Sequence, residues 1–321
     1  MAATQGATPL ATSTSRLGTK STDIGPLKRE DSPAYLTRVK QEIEDFFGDA
    51  PTGIFIAPDE DDFTTIHALV MGPSGTPYED GFFEFQIRCP SEYPLKPPIL
   101  KFLTTDSGRV TFHPNLYSCG YVSLNILGDG WSQAQGIESL LVVIKSLLNQ
   151  DPLYNEPEFV KAQADKYASN YEAFVEHETI RVAVCDTVAA CLSGKSTLPP
   201  TLREVVLKKF VECYDRYEAA VKSKLHLSGN EMPKMYYYHK GTFEYAGLLT
   251  RLQDLKQKVA DREREHSPTY LKKLKKKNSD FFAHEPTGIY IAPDGNDIAE
   301  IQRRTKTASS SSKYDARQSI H

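Results

Sequence analysis

Across Phe82 to Arg88, Phe83, Phe85 and Ile87 alternate with Glu84 and Gln86. That period of two suits a strand with one buried face and does not suit a helix. Three more short strand-like runs lie close by: Gly53 to Ala57, Phe63 to Met71 and Ile99 to Leu103. Gly72-Pro73, Gly75 to Pro77 and Pro94 to Pro98 punctuate them as turns. Helical spacing brackets the set. Ser32-Pro33 reads as an N-cap with proline at the first helical position, and Leu36, Val39, Ile43, Phe46 and Phe47 then repeat on one face. Ile137, Leu140, Leu141, Ile144, Leu147 and Leu148 predict a second helix. The order helix, four-stranded antiparallel meander, long irregular stretch, helix is an α+β layer plan. From Asp151 to about Ala260 the pattern stays helical, and Val206, Phe210, Tyr214, Tyr217 and Val221 form one buried stripe.

Composition narrows the functional classes. A formal net charge of -4 over 321 residues gives no general grip on nucleic acid and no basic membrane-binding surface. No apolar run approaches the roughly 20 residues of a spanning helix. The five cysteines (Cys89, Cys119, Cys185, Cys191 and Cys213) are odd in number and lack CxxC spacing. Neither a disulfide framework nor a metal site is expected, and a reducing compartment is.

The chain also repeats itself. Ser267 to Phe282 and Pro286 to Asp294 restate Ser32 to Phe47 and Pro51 to Asp59 at a constant offset, and the copy stops at Ile301. One helix and one strand cannot make a domain. The fragment could pack on the first domain, exchange with its counterpart helix, or be a duplication remnant, the reading preferred here. Its lysines, Lys272, Lys273 and Lys275 to Lys277, read as a solvated face.

The stretch between the strands and the second helix reads His113-Pro114-Asn115-Leu116-Tyr117-Ser118-Cys119-Gly120-Tyr121-Val122-Ser123-Leu124, followed by Trp131-Ser132. Upstream stand Gly72-Pro73, Thr76 to Glu79, Gly81 to Phe83 and Tyr93 to Pro98. In this ordered series the sequence resembles the ubiquitin-conjugating enzymes. Farther on, His177 to Asp186 and Gly241 to Tyr245 resemble a C-terminal extension carried by one branch of that family. The resemblance implies a UBC core domain over 31–176 and a helical C-terminal extension over 177–260. Outside them lie a disordered tail at 1–30, the truncated repeat at 261–301 and a second disordered tail at 302–321.

The resemblance also implies a chemistry, thioester relay. An activating enzyme spends ATP to charge ubiquitin or a ubiquitin-like modifier and hands it to a cysteine of the conjugating transferase. A substrate lysine then attacks, often with a ligase assisting, and the conjugating enzyme itself needs no cofactor. A thiolate serves because it is both nucleophile and leaving group, and a donor must meet the developing oxyanion. Asn115 matches the family's asparagine in that role. Asn155 matches the position of a polar gate for the incoming lysine. Arg38 and Lys40 lie where the family meets its activating enzyme, and Leu95, Gln133 and Ala134 where it meets ligases. The family places cytoplasm and nucleus as the expected locations.

One position departs from the pattern. The family nucleophile falls ten residues after the histidine, in Gly-x-(Val/Ile)-Cys-Leu, and here that position is Ser123. Gly120, Val122 and Leu124 keep the frame. A serine hydroxyl is scarcely ionised at neutral pH and needs a general base, which the family site does not supply. Cys119 is the alternative nucleophile, four residues early. The expectation is a ubiquitin-conjugating-enzyme-like pseudoenzyme, impaired in transfer but able to bind the pathway's components. The alternative is an active enzyme that uses Cys119 or a cysteine lost from this version of the sequence.

Overall fold

A computed structural model describes residues 33–155, 161–233 and 241–281. The two tails, Tyr236 to Tyr238 and the strand half of the repeat lie outside those residues. Helix α1 (Pro33–Gly48) leads into four strands, β1 (Ile54–Pro58), β2 (Thr65–Met71), β3 (Phe82–Arg88) and β4 (Ile99–Phe102). They form one antiparallel meander in the order β1-β2-β3-β4. Helix α2 (Ile137–Leu147) follows, then α3 (Lys161–Glu178), a π-helical stretch (Thr179–Asp186) and α4 (Thr187–Ser193). Helices α5 (Pro200–Ser223) and α6 (Tyr245–Phe281) complete the chain. The predicted elements that fall within the described residues are present, with strand ends moved by one or two residues. The β2–β3 turn is closed tightly: a Cβ on Gly72 would fall 1.7 Å from the Tyr78 carbonyl oxygen, so the backbones approach only because residue 72 has none.

The strand register assigns the two faces of the sheet. Ile54, Ile56, Ile66, Ala68, Val70, Phe83, Phe85, Ile87, Leu100 and Phe102 point inward and pack with α1, α2 and α3 in one core. The opposite face is where sequence and structure part. Phe83/Glu84 alternation predicts a solvated outer face, yet Ala57, Leu69, Met71 and Phe82 on that face are buried in a second core with α4, α5 and α6. Strand β2 is therefore covered on both sides, as its unbroken run Ile66 to Met71 records. Among the described residues, the β3–β4 end, with Ile99 exposed, keeps an open outer face.

The expected division between core and extension at 176/177 falls inside a continuous helical run from residue 161 to residue 193. The π-helical segment explains this, since it serves both sides: Val182 and Ala183 belong to the first core, Ile180, Val184 and Cys185 to the second. Likewise α6 crosses the expected boundary at 260/261, so the helical half of the repeat continues the extension's last helix. Further pins join the extension to the β2–β3 turn. The Tyr217 hydroxyl donates to the Asp80 carbonyl oxygen at 2.8 Å, and Arg216 meets the Asp80 carboxylate at 2.6 Å.

Glu42 organises the first core. Its carboxylate accepts the Ile137 amide at the start of α2 (2.9 Å) and the Tyr93 hydroxyl (2.6 and 2.7 Å), and it pairs with Arg38. An acid at a helix N-terminus meets unpaired N–H groups and the positive end of the dipole. Gly136 leaves room for it: a Cβ there would sit 2.8 Å from Glu42 Oε2. The repeat carries Lys277 at the position matching Glu42 and Asn278 at that of Ile43. Exchanged for α1, it would set an ammonium against the α2 N-terminus and an amide in the core.

Two predictions follow from this packing. Glu42→Lys, the substitution present in the repeat, should lower unfolding free energy by about 1–3 kcal/mol, the cost of leaving the Ile137 amide and the Tyr93 hydroxyl without their acceptor; urea titration at pH 7 measures it. Burial beneath the extension raises the Glu84 carboxyl from 4.5 to about 7. A raised acid is protonated in the folded state where the unfolded chain has already ionised. Its share of stability is present below pH 4.5 and lost as pH rises through 7. Glu84→Gln should therefore raise the melting temperature at pH 8 relative to the native chain, and the gain should vanish at pH 4.

Candidate active site

The segment from His113 to Ser123 folds as a tight hairpin. The His113-Pro114-Asn115 turn closes with the Leu116 amide donating to the His113 carbonyl at 2.8 Å. Leu116 pairs with Val122, and both are buried, anchoring the hairpin in the core. Beyond them the Tyr117 amide donates to Tyr121 O and the Gly120 amide to Tyr117 O, each at 2.9 Å. Gly120 takes φ 88, and a Cβ there would lie 2.8 Å from Phe102 O. Glycine is required on both counts. The Phe102 amide in turn donates to Gly120 O at 2.9 Å, and Lys101 bridges to Tyr121, so the hairpin caps the free edge of β4.

Asn115 and Ser123 face each other at the base of this hairpin. The Ser123 amide donates to Asn115 O, and Asn115 Nδ2 donates to Ser123 O, both at 2.9 Å. The Asn115 amide donates to Nδ1 of His113 at 3.0 Å, which leaves the hydrogen of a neutral ring on Nε2. Burial lowers the His113 pKa to about 3. A fully buried, neutral ring whose Nδ1 is already occupied positions Asn115 and is no base for Ser123. Ser123 is half-exposed, and among the described residues its hydrogen bonds run through its backbone to Asn115.

Cys119 is exposed at the hairpin tip, flanked by the exposed and mutually contacting rings of Tyr117 and Tyr121. The tip lies two residue pairs, Leu116 with Val122 and Tyr117 with Tyr121, beyond Asn115 and Ser123. Asn115 is committed to Ser123, and the structure does not bring Cys119 to it. The other thiols are buried: Cys185 and Cys191 are pushed up to about 12 and Cys213 to about 11 by desolvation, and Cys89 is raised as well.

Of the expected partner-facing residues, Leu95, Gln133, Ala134 and Arg38 lie on or against the loops joined by Trp131. Trp131 Nε1 donates to Pro94 O at 2.8 Å and its ring lies 5.9 Å from that of Tyr93. This clamp sets Leu95, which is 68% exposed, beside the exposed Gln133 and Ala134. Arg38 reaches the same loop through Gln135 O at 3.4 Å, so its guanidinium is partly spent on Glu42 and this carbonyl. Lys40 lies on the exposed face of α1. Asn155 ends a 3-10 turn (Pro152–Asn155), and its side chain lies outside the described residues.

A helix, a four-stranded meander and a His-Pro-Asn hairpin beside a Trp-anchored loop define the conjugating-enzyme class of fold and site. The family model described as ubiquitin-conjugating enzyme matches residues 38–181. Among similar proteins, ubiquitin-conjugating enzyme E2 Z of Xenopus tropicalis is 41% identical over 266 residues, covering 82% of this chain and 83% of its own. The Homo sapiens protein of that name is 45% identical over 235 residues, 72% of this chain and 65% of its own. That of Danio rerio is 43% identical over 235 residues, 72% and 70% of the two chains. The chain belongs to the ubiquitin-conjugating enzyme family, and within it is similar to the Z type.

The sequence reading missed Glu42 and the extension's charged residues Glu178, Arg181 and Asp186. The signal for Glu42 was its i,i+4 spacing from Arg38 on the polar side of α1, a pattern shared by many solvated helices. The depressed pKa of His113 is directly testable. Its ring protons should show no protonation shift in NMR titration between pH 7 and pH 4, while an unfolded reference titrates near 6.5. Because a lowered base must charge on unfolding, this residue's stabilisation is complete above pH 6.5 and fades as pH falls through that value toward 3.

Proposed function

We propose that this chain is a conjugating-enzyme-like component of the ubiquitin or ubiquitin-like pathway in which thioester transfer is impaired, with Ser123 standing at the family's nucleophile position. Family membership brings ubiquitin, activating enzymes and ligases in general as partners. The finer reading rests on one observation: Asn115 is locked to Ser123 by a hydrogen bond in each direction, and no basic side chain among the described residues meets the Ser123 hydroxyl. An acyl group placed on that oxygen would form an oxyester, a poorer acyl donor to amines than a thioester. The Trp131 clamp and exposed Leu95 leave a surface suited to ligase contact, and Arg38 and Lys40 one suited to the activating enzyme. The cytoplasm and nucleus are the proposed locations. Among the described residues no helix is long and apolar enough to cross a membrane.

The second reading, an active enzyme working through Cys119, draws on that thiol's exposure. Its distance from Asn115 weighs against it, because misplacement by about 1 Å can already cost 100-fold. Incubation with ATP, activating enzyme and labelled modifier separates the two. The native chain should give no reductant-labile adduct, and Cys119→Ala should change nothing. Ser123→Cys should gain a reductant-labile adduct at a rate at least about 100-fold above the native chain. A reductant-labile adduct on the native chain that disappears with Cys119→Ala would establish the second reading.

A further inference from the structure

The turn at 105–109, which feeds the strand into His113, is held in a conformation that residues bearing a Cβ rarely adopt. Asp106, Ser107 and Gly108 have φ of 49, 56 and 87 in succession. Left-handed backbone at two consecutive non-glycine residues persists only when its surroundings impose it. The amides of Gly108, Arg109 and Val110 all donate to Thr105 O at 3.0 Å. Asp106 supplies the remaining hold: its carboxylate, 10% exposed, pairs with Arg109 of the same turn and with Arg181 of the extension at 2.7 Å. This turn abuts the site hairpin. A Cβ on Gly108 would lie 3.7 Å from Ser118 O, next to Cys119.

Arg181 is itself fixed from the extension side. It pairs with Glu178 and lies 3.8 Å from Asp186. On an α-helix, residues five apart point about 140° away from each other. The wider i→i+5 turn at Thr179–Asp186 instead brings Arg181 and Asp186 to one side. Asp186 holds Arg251 of α6 at 2.6 Å. Glu178 accepts from His177 Nδ1 at 2.8 Å, and His177 Nε2 accepts the Glu244 amide at 3.0 Å, just before α6. The His177 ring also packs edge-on against Phe243 and Tyr245. An unbroken chain of charge-assisted contacts thus runs from α6 to the turn beside the hairpin.

We propose that Arg181 is a positioning residue: through Asp106 it lets the C-terminal extension hold the 105–109 turn and, against it, the hairpin that carries Asn115 and Ser123. The inference rests on reading that hairpin as the functional site, but its test does not use transfer activity, so either can fail alone. Full-length chains carrying Arg181→Gln or Asp106→Asn are compared with Arg216→Gln, which cuts a different extension-to-core ion pair, that with Asp80. Asparagine tolerates positive φ, so Asp106→Asn removes the charge while keeping a turn-compatible residue if Arg181→Gln fails to fold. Expected for both test variants are amide hydrogen exchange at least tenfold faster at residues 105–123 and a changed rate of Cys119 alkylation by iodoacetamide. Exchange in β1–β3 should stay within twofold, and Arg216→Gln should move neither readout at 105–123. Arg181→Lys should recover part of the protection. The proposal is overturned if 105–123 exchanges normally in both test variants, or if Arg216→Gln loosens it equally.

Discussion

A sheet with Ala57, Leu69, Met71 and Phe82 on its outer face cannot stand against water. The extension is the answer to that constraint, and most of the architecture depends on it. With α4, α5 and α6 laid over β1 to β3, the sheet becomes a wall shared by two cores, and the helical run from 161 to 193 contributes to both. The extension is therefore no appendage. Removing it would bare the second core, strip the cover from β2 and take Arg216 from the Asp80 turn and Arg181 from the Asp106 turn.

Within the hairpin the site is ordered by packing and uncharged hydrogen bonds, and charge enters from outside it, at the Asp106 turn. Three devices set the order within: the buried pair Leu116 and Val122, the neutral His113 that receives the Asn115 amide, and the Gly120 contact with β4. None of them supplies a base. A site arranged in this way suits a nucleophile that ionises by itself, as a thiol partly does and a hydroxyl does not. On the proposed reading, Ser123 is a hydroxyl held where a thiol would ionise more readily.

How much was legible beforehand varied by residue. Strand β3 and helices α1, α2 and α5 were legible because their periodicity reports burial directly. Glu84 shows the limit. In sequence it is an outward-facing acid on a half-buried strand, and only the helices arriving more than a hundred residues later make it a desolvated carboxyl with a pKa of about 7. Glu42 is similar: its worth lies in the Ile137 amide and the Tyr93 hydroxyl, both remote in sequence. Cys119 and Ser123 are four residues apart in the motif, and only the folded hairpin puts Asn115 against Ser123 and Cys119 at the exposed tip.

The amino-acid sequence alone determined the element order, the family frame, the serine at 123 and the repeat with its reversed charge at Lys277. These are local or positional facts, carried by period, turn chemistry and spacing. Tertiary structure alone decided which polar groups lose water and whom they meet. Examples are the buried outer face of the sheet, the neutral state of His113 and the route from α6 through Arg181 to Asp106. Desolvation and ion pairing depend on neighbours brought together by folding, and no spacing along a single chain encodes them.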